Sequence, residues 1–395
     1  MKILFITEDY PYPLDTGGKI VTNQFLEALS SKHTITLITR PGKLPSKKDI
    51  NFYKRKGIDL KYVIYKKTPD QVRREILKSY LNLKPPMLSD FYEEDLVKIV
   101  NKLIEKNNYD AIFIDHVYMA QYLPKIKNEK WFLCEHNMEY KILYDFFRIL
   151  PTGKRDRLYH LYSAVTLFFF EWWSLRKFDK IFALSETDRK NAISIGINKN
   201  KVVTTLPWQK LRTLHKTNQS KELLFIGNMW WDPNYDAMLW FIKNVFPIIQ
   251  RSIPKVKLTI VGSDSSRMEA IVGDKKNINL IPKVKDVDPY LKRANAFILP
   301  FRIGEGVRLK ALTAFSSSLP VVSTTKGTQG LNVENNKEFL KADTDKDFAN
   351  KIIKLFKDKK LQMRLVKNAR TYLESNHNPR MIRNKILTEI GNELS

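Results

Sequence analysis

The sequence predicts an α/β protein made of two doubly wound, parallel-sheet domains. Three observations predict it. Short runs rich in Ile, Val and Phe alternate with longer stretches of helical period, the pattern of a parallel sheet covered by helices on both faces. These runs are apolar throughout, as strands buried on both sides must be. The chain has 395 residues, more than one core ordinarily organises, so the runs divide into two sets.

In chain order, the first set of expected strands is Lys2 to Thr7, Thr34 to Thr39, Lys61 to Tyr65, Ala111 to Asp115, Trp131 to Glu135, Lys180 to Leu184 and Val202 to Thr204. The second is Leu223 to Gly227, Lys257 to Val261, Ile278 to Ile281, Ala296 to Pro300 and Leu319 to Ser323. Residues 207–213 between them are polar and aperiodic, and read as a linker. Expected domains are therefore 1–207 and 208–376, followed by a terminal segment 377–395. Pro379 after the polar turn Asn376-His377-Asn378 marks the start of that last helix, about Arg380 to Glu393. The aromatic helix Leu161 to Lys177 has apolar residues on every face and reads as buried between elements, with Glu171 in need of a partner. Its Trp and basic residues leave open a place in a membrane interface.

Lys and Arg total 68 against 42 acids, a formal charge of +26, so nucleic acid, an anionic membrane face and phosphorylated substrates are the candidate partners. The densest basic clusters are Lys43, Lys47, Lys48, Lys54, Arg55 and Lys56, then Lys66, Lys67, Arg73, Arg74 and Lys78. Solvated faces of a lysine-rich protein would look the same. No RNA- or DNA-binding motif is present, so no nucleic acid is expected. The single cysteine, Cys134, excludes an internal disulfide and a cysteine-rich metal site. No run reaches the roughly 18 apolar residues of a membrane span, and the start MKILFITEDYPYP lacks a secretory pattern. The expectation is a cytoplasmic protein, peripheral on the inner membrane face if the basic clusters meet anionic lipid.

Three stretches carry chemistry. Pro300 to Phe315 reads as strand end, glycine loop and basic helix, with Gly304, Gly306, Arg308 and Lys310 in the helix's first turn. Free N–H groups, the positive dipole end and two cations suit an anionic diphosphate. Arg308 and Lys310 could equally be surface cations, and Glu305 an acid that merely stabilises a helix start by ~0.3–1 kcal/mol. Gly17-Gly18 follows the first strand and precedes a helix from about Lys19; alone, the pair is an ordinary turn. His116 and His136 each follow a strand, at the end where open parallel sheets bind ligands, although a loop histidine bonded to backbone would also sit there. His33, His160, His215 and His377 have no such context.

Taken in order, Gly17-Gly18, His136-Asn137-Met138-Glu139, Phe225 to Asn234, Val261-Gly262, Val287 to Leu291 and Gly304 to Leu312 resemble the retaining GT-B glycosyltransferases of family 4, or group 1, that build bacterial surface polysaccharides such as capsule or lipopolysaccharide. The resemblance implies two Rossmann-like domains with an interdomain cleft and a last helix that crosses back to the first domain. It implies a UDP- or GDP-sugar donor, a polysaccharide or lipid-linked oligosaccharide acceptor, and neither cofactor nor metal; the oligomeric state stays open. Under it, His136 and Glu305 are catalytic, and Gly17, Gly18, Asn228, Gly304, Gly306, Val307, Arg308, Lys310 and Thr313 bind the donor. His116 becomes an acceptor-side contact. The chain departs from the family twice. Thr313 stands where a second glutamate usually holds the ribose, exchanging charge-assisted bonds of about 1.5–3 kcal/mol for one neutral bond of ~1 kcal/mol. Asn228 to Trp231 also lacks the basic pair common there. The alternatives are a catalytically degenerate GT-B protein acting as a binding or partner subunit, a sugar-nucleotide epimerase on the same fold, and a basic nucleic-acid binder.

Overall fold

The structure is a computed structural model that describes residues 1–149, 154–215, 221–262, 264, 266–273, 275–304 and 306–394. It divides into two compact units, Met1–Pro207 with Arg380–Ser395, and Trp208–Pro379.

The first unit holds β1 (Lys2–Thr7), β2 (Thr34–Thr39), β3 (Ile58–Tyr62), β4 (Ala111–Asp115), β5 (Lys130–Glu135), β6 (Lys180–Ala183) and β7 (Val202–Thr204). They form one sheet in the order β3-β2-β1-β4-β5-β6-β7, parallel throughout. Apart from its first residue, β1 is wholly buried, and so is all of β4, which is why neither shows alternation. Phenylalanines fill the layer between strands and helix Gly17–Ser30: Phe5 stacks on Phe113 at 4.9 Å, and Phe25 meets Phe113 at 5.4 Å and Phe182 at 5.6 Å. The final helix, Pro379–Leu394, is tied to β6 by Lys180, whose ammonium lies 2.8 Å from Glu393 and 3.4 Å from Glu389.

The second unit holds β8 (Glu222–Ile226), β9 (Lys257–Val261), β10 (Ile278–Ile281), β11 (Ala296–Leu299), β12 (Val321–Ser323) and β13 (Leu340–Lys341). Their order is β10-β9-β8-β11-β12-β13, again parallel. Its own core gathers Phe225, Phe297, Phe301, Phe241 and Phe246.

Four expectations need correction. β3 lies three residues earlier than expected because the exposed Asp59 and half-buried Lys61 of this edge strand hide it from an apolar-run search. Helix Gly17–Ser30 begins at Gly17, not near Lys19; Thr16 is its cap and accepts from the Lys19 N–H at 3.3 Å. The aromatic helix spans Lys154–Leu175 and is not buried all round: Val165, Phe169 and Trp173 are exposed, while Glu171 is buried and accepts from the Tyr140 N–H at 3.2 Å. The helix after β11 is Leu309–Ser316, so Gly304 and Gly306 are not in its first turn; φ of 109° and 77° puts both in loop backbone that a right-handed helix excludes.

Candidate active site

Strand order fixes where each sheet can bind. In both sheets the order in which strands are added reverses between two parallel central strands, β1 and β4 in the first, β8 and β11 in the second, and loops leaving those carboxyl ends diverge to leave a crevice.

In the first unit, Asp115 ends β4 fully buried. Its Oδ2 accepts from the Thr7 hydroxyl at the end of β1 and from Thr22 on helix Gly17–Ser30, both at 2.7 Å. Its Oδ1 lies 2.7 Å from Nε2 of His136, just past β5. A carboxylate only accepts, so neutral His136 carries its proton on Nε2 and keeps an Nδ1 lone pair. His116 has φ of 69°, a left-handed turn straight out of β4, which lays its ring on His136 at 3.6 Å and 10°. Its Nδ1 is 3.4 Å from Asp115 Oδ2, and its Nε2 is 3.8 Å from where a Cβ on Gly18 would stand. The Tyr118 ring follows at 5.1 Å, and its hydroxyl donates to Glu8 at 2.6 Å. Gly18, His116 and His136 therefore share one crevice, at a helix start whose first N–H groups have no partner within the helix.

Burial alone would raise the Asp115 carboxyl, but His116 and His136 together hold it well below the carboxylate range. Burial likewise opposes a charge on His116, yet Asp115 prevails and pushes it up to about 9. His136 shifts down, first from burial and then from His116 beside it. Two stacked rings do not both take a proton cheaply; this pair charges on His116. Beneath them, burial and then Glu171 push the Glu135 carboxyl well up, and Glu171 is raised by burial as well.

In the second unit, the loops after β8 and β11 meet. Gly262 passes so close that a Cβ there would lie 1.9 Å from the Gly227 carbonyl. A Cβ on Gly227 would lie 3.0 Å from Lys310 Cε, and one on Gly304 2.3 Å from Arg308 Nη2. Arg308 donates to the Ile303 carbonyl at 3.1 Å and covers the Phe301 ring at 4.7 Å. Burial, then the Arg308 charge, lower the Lys310 ammonium to about 8. Arg308 and Lys310 thus converge over the Phe301 ring, at 4.7 and 6.0 Å, with Gly304 against Arg308 and Gly227 against Lys310, and Arg308 caps helix Leu309–Ser316 without a side-chain bond to its first N–H groups. Asn228 accepts at its carbonyl from Asn234 Nδ2 at 2.7 Å. Val307 packs near Gly330, whose Cβ would lie 3.2 Å from Val307 Cα. Thr313, one turn further along, donates its hydroxyl to the Leu309 carbonyl at 3.0 Å. Glu305 lies outside the described residues. Arg302 is committed elsewhere, gripping the buried Asp236 through both Nε and Nη2.

Residues 220–358 match the family Glycosyl transferases group 1. The chain carries a group 1 glycosyltransferase domain. This domain covers β8 to the helix before Asp358, the unit that holds Arg308 and Lys310. An uncharacterized 44.6 kDa protein in the cps region of Klebsiella pneumoniae is 26% identical over 408 residues, covering 98% of this chain and 99% of that protein. Sucrose-phosphate synthase from Thermosynechococcus elongatus is similar in structure with a TM-score of 0.73 at 16% identity, covering 100% of this chain and 99% of that one. HepE from Anabaena, solved with UDP-glucose, gives 0.68 at 13% identity over 99% and 100% of the two chains. The fold is GT-B, two Rossmann-like parallel-sheet domains.

Asp115, which the sequence reading passed over, is the residue on which the first crevice turns. A carboxylate closing an all-apolar strand immediately before a histidine, Ile114-Asp115-His116, is the signal that could have found it. Asp115, Cys134 and His136 bring ligand atoms within 4.8 Å of one another, the spacing of a metal site. Those atoms already have other uses: Asp115 serves two hydroxyls and a ring, and burial pushes the Cys134 thiol well up, away from the thiolate a metal binds.

Proposed function

We propose that the protein is a retaining glycosyltransferase that moves a sugar from a UDP- or GDP-sugar to a glycan or lipid-linked acceptor in the cytoplasm. The observation that carries this reading is the convergence of Arg308 and Lys310 over Phe301 at the start of helix Leu309–Ser316. Two crowded cations at a helix start favour a ligand with two negative charges, and a nucleotide diphosphate fits. The UDP-glucose bound to HepE supports the donor class, and the cps-region relative supports a surface polysaccharide as product.

In this reading the bond from sugar C1 to the diphosphate oxygen breaks with its electron pair on the leaving group. Arg308, Lys310 and the backbone around Gly304, Gly306 and Val307 stabilise that charge without a metal ion. The acceptor oxygen bonds C1 on the face the diphosphate leaves, preserving configuration, and the acceptor hydroxyl's proton passes to the departing diphosphate oxygen. His136 accepts a hydrogen bond from a sugar hydroxyl through Nδ1, Glu305 holds the donor sugar, and His116 with Gly17 and Gly18 presents positive charge to the acceptor side or the diphosphate. Thr313 retains lone pairs for one ribose hydroxyl while donating to its own helix.

The test is a panel of UDP- and GDP-sugars, read by donor consumption and by nucleotide-induced rise in Tm, with and without EDTA. A donor consumed equally in both conditions is expected. No Tm shift with either nucleoside diphosphate would overturn the donor site. A Tm shift with no donor consumed would leave a binding protein and remove the transferase.

A further inference from the structure

We infer that the outward faces of helices Lys154–Leu175 and Pro69–Leu81 are a docking surface for an anionic lipid bilayer. Helix Lys154–Leu175 presents apolar side chains on both sides. Its buried side mixes Ser163, Glu171 and Ser174 with Ala164, Leu167 and Leu175, whereas Leu158, Val165, Phe169 and Trp173 face out. Their spacings of seven, four and four residues make one stripe of a helix, and Phe169 is 59% and Trp173 56% exposed. The Tyr80 and Tyr162 rings, 4.8 Å apart, bring helix Pro69–Leu81 alongside. That helix exposes Leu77 and Leu81 one turn apart, at 63% and 85%, next to the exposed Arg73, Arg74 and Lys78. At the far end of the stripe, Lys177 Nζ sits 3.0 Å over Trp173, and Arg176 covers Trp172 at 3.6 Å.

Aliphatic side chains, tryptophan and a collar of cations match the three depths of a bilayer surface: acyl boundary, headgroup and phosphate. The other occupants fit less well. A second copy would bring +26 against +26, and an apolar protein face gives the cations nothing to meet. No described helix is long and apolar enough to cross a membrane, so this one would lie in the surface plane. Docking itself requires neither donor nor turnover; only its consequence, that a lipid-linked acceptor is met at the bilayer, rests on the transferase reading.

The experiment is co-sedimentation of the full chain with vesicles of phosphatidylcholine, alone or mixed with phosphatidylglycerol. Wild type should pellet with the mixed vesicles only. The pairs Phe169→Gln/Trp173→Gln and Leu77→Gln/Leu81→Gln should each lower partitioning at least about tenfold. Lys47→Gln/Lys48→Gln/Lys54→Gln/Arg55→Gln, on helix Lys47–Lys54, should change it less than about threefold. If a pair melts early, the single changes Phe169→Gln and Leu81→Gln serve instead. The assignment is overturned if wild type ignores phosphatidylglycerol, if the apolar variants bind equally, or if loss is confined to the lysine variant. It is equally overturned if the apolar variants instead abolish a dimer seen by sedimentation velocity. Nucleotide-induced Tm shifts, measured in parallel, keep the two readings separate: either one can fail while the other stands.

Discussion

The two crevices share a topology and differ in chemistry. At the first, Asp115 is fully buried and every contact it makes is internal: two hydroxyls and one ring, with a second ring 3.4 Å away. At the second, Lys310 and Arg308 crowd together and burial lowers the ammonium rather than feeding it a carboxylate. The first is wired by internal hydrogen bonds; the second gathers two cations over one aromatic ring. One fold thus supports two kinds of preorganisation, one by internal hydrogen bonding and one by crowding two cations at a helix start.

The largest expected effect separates them by stability. Asp115→Ala strands three donors in the interior and should cost about 3–5 kcal/mol in urea unfolding of the ligand-free protein. Arg308→Ala should leave that unfolding curve within about 0.5 kcal/mol, since it removes a half-buried cation. Equal losses would erase the contrast. Next comes nucleotide affinity. Arg308→Ala should weaken nucleoside diphosphate binding about ten- to a hundredfold by calorimetry, through loss of one or two charge-assisted bonds. Unchanged affinity would place the anion elsewhere.

The pH responses should have opposite signs. His116 is raised to about 9 from 6.5, so its stabilisation is complete below 6.5 and disappears as pH climbs through about 9. Lys310 is lowered to about 8 from 10.5, so the unfolded chain binds the extra proton and stability grows from about pH 8 to 10.5. His116→Ala should remove the alkaline loss, and Lys310→Met the alkaline gain; a variant with the wild-type pH profile would sink its half of the comparison. A bound diphosphate should also restore the Lys310 proton, seen as proton uptake when binding is titrated near pH 9 in buffers of different ionisation heat. The smallest effect is Thr313→Glu, which should tighten nucleotide binding about tenfold if a carboxylate there reaches the ribose.

Much of the fold was legible because β1, β4, β8 and β11 are buried on both faces and read as unbroken apolar runs. β3 was placed three residues too late because Asp59 and Lys61 interrupt it, and β13 was missed because two residues, Leu340 and Lys341, carry no pattern. The candidate site was legible only as strand ends. His116 and His136 could be named from position, but not that they stack, since that depends on a left-handed backbone at residue 116. Asp115 itself had a local signal in Ile114-Asp115-His116, but its network did not: its partners Thr7, Thr22 and His136 come from three different parts of the chain, and no local window contains them. The outward stripe of Lys154–Leu175 could not be read either, because periodicity says which residues share a face and not which face the protein covers.

The backbone at His116 has a consequence for how this chain would change under selection. A side chain in that conformation costs roughly 1–2 kcal/mol that glycine escapes. A library randomised at this codon and sorted for thermal endurance above about pH 9, where His116 has lost its charge, should enrich glycine, whereas one sorted for turnover should return histidine. The disagreement between the two winners would measure what the fold surrenders to keep an imidazole there.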